Sequence, residues 1–253
     1  MSGEKLINYL LNENTEYRKI GIPSSEDEQF RLYRSLVNVR SACEISAEYL
    51  AAEDEYLRQK IAEKGVTDIA DLSPVEDDIY LWRGDITTLK CGAIVNAANS
   101  GMTGCYQPCH NCIDNCIHTF AGTRLRLDCA KIMEKQGHEE PTGQAKITPA
   151  YNLPCEYIIH TVGTIVRGKL TSEHCRQLES CYTSCLEIAV QNDIDSIALC
   201  CISTGVFGFP KQEAAEISVQ TVRDFLKSHR IKVIFNVFGS EDYDIYRKIL
   251  GKN

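Results

Sequence analysis

The sequence lacks a basic excess. Its 27 Lys and Arg stand against 35 Asp and Glu, a net charge of 27 − 35 = −8, so it carries no electrostatic footprint for nucleic acid. It lacks any apolar run near the roughly 18–20 residues that span a bilayer, which excludes a membrane helix. Its N-terminus, MSGEKLINYLLNENTEYRK, lacks the basic start, apolar stretch and small-residue cleavage site of a secretory leader. The expected location is therefore the cytoplasm. There is no Walker lysine motif and no GxGxxG, so the readings as an ATPase or a Rossmann dehydrogenase lose their marks. We find no internal repeat and no low-complexity tract. Cysteine, in contrast, is plentiful. There are 13, an odd number that cannot pair completely, and in a cytosolic chain they point to buried thiols or a metal rather than disulfides.

Charge divides the chain. Residues 1–78 hold 17 Asp and Glu and 9 Lys and Arg, a net of −8, whereas residues 79–253 hold 18 of each. This predicts an acidic N-terminal helical extension over residues 1–75 and a main domain over 76–253. Within the extension, Leu6 to Leu11 predicts a short helix. Ser25 with Glu28 three residues on predicts a helix start. Leu32, Leu36, Val39, Cys43, Ala47 and Leu50 then form one apolar stripe at helical spacing, which must be buried and is expected to pack on the main domain. A second helix is expected over Glu53 to Glu63, stopping at Gly65, and a linker from Asp68 to Asp78.

From Ile79 onward strands alternate with helices. Strands are expected at Ile79–Trp82, Ala93–Val95, Ala145–Ala150, Tyr157–Val162, Ser196–Ile202 and Lys232–Phe238. Helices are expected over Cys112–Gln136 with a break at Gly122, from Thr171 to about Asn192, from Pro210 to about Lys227, and over Glu241–Leu250. This order predicts an α/β fold with a mixed, largely parallel sheet, and ligands in such folds sit outside the carboxyl ends of the strands. Two loops follow strands and should meet there. One, Ser203–Thr204–Gly205–Val206–Phe207–Gly208–Phe209, offers backbone N–H groups beside a helix start, a physical site for a diphosphate or else an ordinary turn. The other begins at Asn96 and reads NAANSGMTGCYQPCHNCIDNCIH. It packs Cys105, Cys109, His110, Cys112 and Cys116 into a few residues. Thiolate and imidazole are ligands zinc prefers. Three of them would leave an open position, a fourth from Cys109 or Cys116 would close the shell, and free thiols are the bland alternative. Asp85, just after the first strand, reads either as an acceptor for a base amino group or as a helix cap. His160 reads as a core histidine.

These residues resemble a macrodomain, the ADP-ribose-binding module. The resemblance runs over about residues 79 to 250. It rests on Gly84-Asp85-Ile86-Thr87, Ile94 to Asn99, Pro141 to Ala145, Tyr157 to Gly163 and Ile202 to Pro210. The insert GCYQPCHNCIDNCIH behind an acidic extension resembles the microbial zinc-containing subclass. The resemblance implies a three-layer α/β/α fold and a Zn2+ ion on Cys105, His110 and Cys112, with Cys109 extra to the pattern. It implies ADP-ribose contacts from Asp85 and Ile86 at the adenine and from residues 203–209 at the diphosphate, with Phe209 lining the ribose or adenine side. It further implies a contact from Asn99 at the distal ribose and ADP-ribose contacts from Thr103 and Gly104. Asn99 with the three metal ligands would form the catalytic set. The implied activity is zinc-dependent hydrolysis of mono-ADP-ribose from protein side chains; the alternative is a non-catalytic reader with a structural zinc. The subclass is associated with a sirtuin-type transferase and a lipoyl-carrier protein. A monomer is expected.

Overall fold

The computed structural model describes residues 3–251; residues 1–2 and 252–253, the outer ends of the two predicted segments, lie outside the described residues. Three helices come first, α1 (Gly3–Glu13), α2 (Glu26–Val39) and α3 (Ala47–Lys64). Ser25 caps α2 by accepting the Glu28 N–H, and Ser46 caps α3 by accepting that of Tyr49. The second cap corrects the sequence reading. The expected stripe does not lie on one helix, because α2 ends at Val39 and residues 40–46 turn before α3 starts. Cys43 and Ala47 are accordingly exposed. Of the stripe, Leu36 is buried and Leu32 and Leu50 pack partly buried beside it, and Tyr33, Tyr49, Tyr56 and Leu57 join Leu36, Leu6, Ile7, Leu10 and Leu11 in a small core of their own.

The expected linker also has structure. Thr67–Asp68 (β1) pairs in parallel with Leu89–Lys90 (β3). The main sheet uses β2 (Ile79–Arg83), β4 (Ala93–Ala98), β5 (Ala145–Pro149), β6 (Tyr157–Val162), β7 (Ser196–Leu199) and β8 (Lys232–Val237), in the order β2-β8-β7-β4-β6-β5. All neighbours are parallel except β5, which runs antiparallel at one edge. The central strands read as unbroken apolar runs because both faces are covered. Successive residues of β6 demonstrate this: His160 lies beside His118 of α4 (Ile113–Ala121), while Thr161 lies beside Cys181 and Cys185 of α6 (Ser172–Gln191). Gly122, at φ 95°, breaks the long helix expected over 112–136 into α4 and α5 (Thr123–Gln136). Helices α7 (Lys211–Leu226) and α8 (Ser240–Leu250) complete the chain. Strand β4 runs on through Asn96 to Ala98, longer than expected, so Asn96 is a buried strand residue and not part of the loop. Among the described residues no helix is long and apolar enough to cross a membrane.

Candidate active site

The five parallel strands end on one edge, and every loop singled out above leaves from it. At the end of β2, Asp85 is the cap, one of the two roles the sequence left open. Its Oδ1 accepts the Thr87 N–H at 3.0 Å and so caps the short 3-10 turn at Ile86–Thr88. Its Oδ2 accepts the ammonium of Lys64, the last residue of α3, which also lies 3.8 Å from the Phe120 ring centroid. Burial would raise the Asp85 carboxyl, but Lys64 and the Thr87 hydrogen bonds outweigh it and hold the group below its ordinary range. Next to it, the Ile86 N–H has no backbone partner among the described residues.

The 203–209 loop follows β7. It is folded by its own bonds: Phe209 N–H to Ser203 O at 3.0 Å and Gly208 N–H to Gly205 O at 3.0 Å. The N–H groups of Gly205, Val206 and Phe207 make no backbone bond among the described residues. Gly205 has ordinary φ, and a Cβ there would meet nothing within 4 Å. The folded chain does not itself demand glycine at that point, which is what close approach of a ligand would explain. Phe209 is not the aromatic on this edge, since it is 2% exposed and sits in the main core. Phe238, directly after β8, is 82% exposed, and sequence reasoning missed it because it reads as the last residue of an apolar strand.

Asn99 follows β4. Its Oδ1 accepts the Gly101 N–H at 3.0 Å, and its Nδ2 donates to Gly104 O and to Asp114 Oδ2, both at 3.1 Å. Asp114 was also missed. It is fully buried at the start of α4, and its other oxygen accepts from Asn96 Nδ2 at 2.8 Å. Burial pushes its carboxyl up to about 6, against the pull of Asn96, Arg126 and Asn99. As a single acid in a first helical turn it looks like a dipole partner; only the fold shows that it fixes the Asn99 amide.

Gly104 turns the chain at φ 87° into Cys105, His110 and Cys112. One donor atom from each lies within 4.8 Å of the others, and Cys105 Sγ is 3.7 Å from His110 Nδ1. Burial pushes the Cys112 thiol up to about 12; the Asn115 N–H pulls it back in part and Cys105 pushes it further. A divalent cation among these donors would relieve that conflict, because a coordinating thiol is deprotonated. The donor set, two thiols and an imidazole, fits zinc. Cys109, at φ 53°, turns its thiol to Arg31 O at 3.4 Å. Thr103 gives its carbonyl to Arg126 Nε at 2.8 Å. A second trio, His118, Cys129 and His160, is also within 4.8 Å but entirely buried.

The Macro domain family model matches residues 95–218. The chain is 58% identical to a protein-ADP-ribose hydrolase of Treponema medium over 97% of this chain and 96% of that one. It is 49% identical to a protein-ADP-ribose hydrolase of Staphylococcus aureus strain MSSA476, over 99% and 95%. A Trypanosoma brucei macrodomain solved with ADP-ribose superposes with a TM-score of 0.67 at 31% identity, covering 86% of this chain and 95% of that one. An Oceanobacillus iheyensis macrodomain with ADP gives 0.64 at 35%, covering 71% and 94%. The chain belongs to the macrodomain family.

Proposed function

We propose that this macrodomain binds ADP-ribose along the strand-end edge and hydrolyses mono-ADP-ribose from modified protein side chains, with zinc on Cys105, His110 and Cys112. The observation that carries it is the junction of Asn99 with the cysteine–histidine loop through Gly104 and Asp114. A residue suited to hold the distal ribose is thereby hydrogen-bonded to the loop that carries the donors. The named activity of the Treponema and Staphylococcus relatives supports the reading. On it, Asp85 accepts the adenine amino group, and Ile86 N–H donates to the ring. Phe238 offers a face for the base. The free N–H groups at 205–207 donate to the diphosphate. Asn99, its amide oriented by Asp114, receives a ribose hydroxyl on Oδ1, and Thr103 and Gly104 form the floor beside it. Zinc so held would supply a Lewis acid and a bound water of pKa about 7. The substrate is a mono-ADP-ribosylated protein in the cytoplasm, and a lipoyl carrier modified by a sirtuin-type transferase is the case the family resemblance suggests.

The test joins metal analysis of the purified protein to release of ADP-ribose from a mono-ADP-ribosylated protein, with and without chelator. Chelator-sensitive release and about one zinc per chain are expected. Asp85→Ala should weaken ADP-ribose binding by about 1.5–3 kcal/mol in calorimetry, the worth of a charged hydrogen bond. Tight ADP-ribose binding without turnover would support the reader instead, and no binding at millimolar ligand would end the reading altogether.

A further inference from the structure

The loop from Met102 to Asn111 has no helix or strand, so its backbone groups must find partners elsewhere. Two of them, the Cys109 N–H and the His110 carbonyl, find those partners directly on α2. Arg34 of α2 donates from Nη2 to His110 O at 2.6 Å and to Asn115 Oδ1 at 2.9 Å, and from Nε to Asn115 Oδ1 at 3.3 Å. The Asn115 amide passes this on. Its oxygen takes Arg34, which can only donate, so its nitrogen must face the loop, where it donates to Cys105 O at 3.2 Å and Gln107 O at 2.9 Å. Asn38, also on α2, accepts the Cys109 N–H at 2.9 Å and donates to Thr119 Oγ1 at 3.0 Å. It thereby holds the one loop residue in the left-handed region between the two outer donors. Arg126 of α5 locks the arrangement from below: Nε donates to Thr103 O, and Nη1 donates to the carbonyls of Val37 at 2.7 Å, Asn38 at 3.0 Å and Arg40 at 2.7 Å, at the end of α2.

We infer that α2 is a positioning element for the metal-ligand loop, with Arg34 and Asn38 as the positioning residues. The inference rests on the zinc reading for its consequence but not for its geometry. Cys105 and His110 project from a backbone pinned at their own carbonyls by α2, His110 directly and Cys105 through Asn115, while Cys112 caps α4 beside them. A guanidinium is suited to this because its planar fork reaches two acceptors at once, which an ammonium cannot do with the same geometry.

The experiment compares Arg34→Ala and Asn38→Ala with the native full chain, using Arg58→Ala as control; Arg58 is exposed on α3 and away from the loop. Two readouts are taken on protein shown folded by circular dichroism. Hydrogen–deuterium exchange over residues 99–112 should speed up at least tenfold in Arg34→Ala and stay at the native rate in Arg58→Ala. Zinc release to a chromogenic chelator should speed up by a similar factor, with kcat reduced and ADP-ribose affinity within about twofold of native. Arg34→Lys should restore neither rate, and full restoration by lysine would overturn the role of the fork. Native exchange in both Arg34→Ala and Asn38→Ala would overturn the inference. If the native chain holds no zinc, the zinc reading fails and the exchange rates alone decide the positioning role. If Arg34→Ala does not fold, Asn38→Ala decides on the same readouts.

Discussion

Cys105, His110 and Cys112 on one side, and His118, Cys129 and His160 on the other, offer much the same donor chemistry, thiol and imidazole, on the two sides of Gly104. The first trio is half exposed on a loop at the sheet edge. The second is sealed between β6 and the α4–α5 pair, where both ring nitrogens of His118 lack a hydrogen-bond partner among the described residues but those of His160 do not. His160 has Asn96 Nδ2 at 3.1 Å from Nδ1 and Thr148 Oγ1 at 2.9 Å from Nε2, so both ring nitrogens are committed. Burial holds its pKa down at about 3 and, with the charges of His160 and Arg126, holds His118 well below its ordinary value. Proximity of donors is therefore not enough. A ligand set needs free lone pairs and a route for the ion, and a buried imidazole whose nitrogens are committed is a core residue.

The largest effect should come from exchanging the two trios' fates. Cys105→Ala or Cys112→Ala should remove bound zinc and lower turnover by about a hundredfold or more while the fold survives. Cys129→Ala should leave metal content unchanged and instead cost about 1–2 kcal/mol, since it opens a small cavity in a packed interior. Metal analysis beside a denaturant titration separates the cases, and equal metal loss from both variants would erase the contrast.

Gly104 is where the trios touch, and it gives the next effect. A Cβ there would lie 2.7 Å from His118 Cγ, at a φ of +87° that side chains rarely adopt. Gly104→Ala should cost about 1–3 kcal/mol through backbone strain, and should loosen zinc retention because the loop must lift off the ring. Unchanged melting and unchanged metal would show that the loop moves independently of the core.

The smallest effect at neutral pH is an acid sensitivity of the buried trio. The unfolded imidazole protonates near 6.5, whereas folded His160 does not until about 3. Between these values the unfolded chain binds more protons, so stability falls as pH drops. The loss from His160 is about 2 kcal/mol at pH 5 relative to neutral pH, and it is absent above 6.5. Denaturant midpoints of the native chain and His160→Gln at pH 7 and pH 5 check the sign; parallel slopes would remove His160 as the source.

The parallel strands were legible as apolar runs such as Ile94–Val95 and Ile197–Leu199, and the two site loops as the polar and glycine-bearing stretches behind them. The cysteine–histidine trio was legible as composition. Local spacing did not reveal what packs across the fold. Nothing near Cys109 in the sequence says that its thiol turns to Arg31 and its N–H to Asn38. Asp114, Lys64 and Phe238 gain their meaning from Asn99, Asp85 and the strand-end edge, each distant in the chain. The stripe from Leu32 to Leu50 is interrupted at Cys43 and Ala47 for a local reason. Helical spacing continued by chance across the turn at 40–46, and the cap at Ser46 was overlooked.

The bonds from α2 to the ligand loop join residues 71 to 78 positions apart. Contacts of such separation close late in folding, after local ones. The helices α1 to α3 share a core of their own and precede the loop in the chain, so the loop arrives at a partner already synthesised. None of Cys105, His110 or Cys112 belongs to any buried core. In a small zinc finger, metal uptake is the folding reaction itself. Here the two would be separable: an ion entering this loop would meet a finished fold, and its removal would leave the helical core and the main core in place.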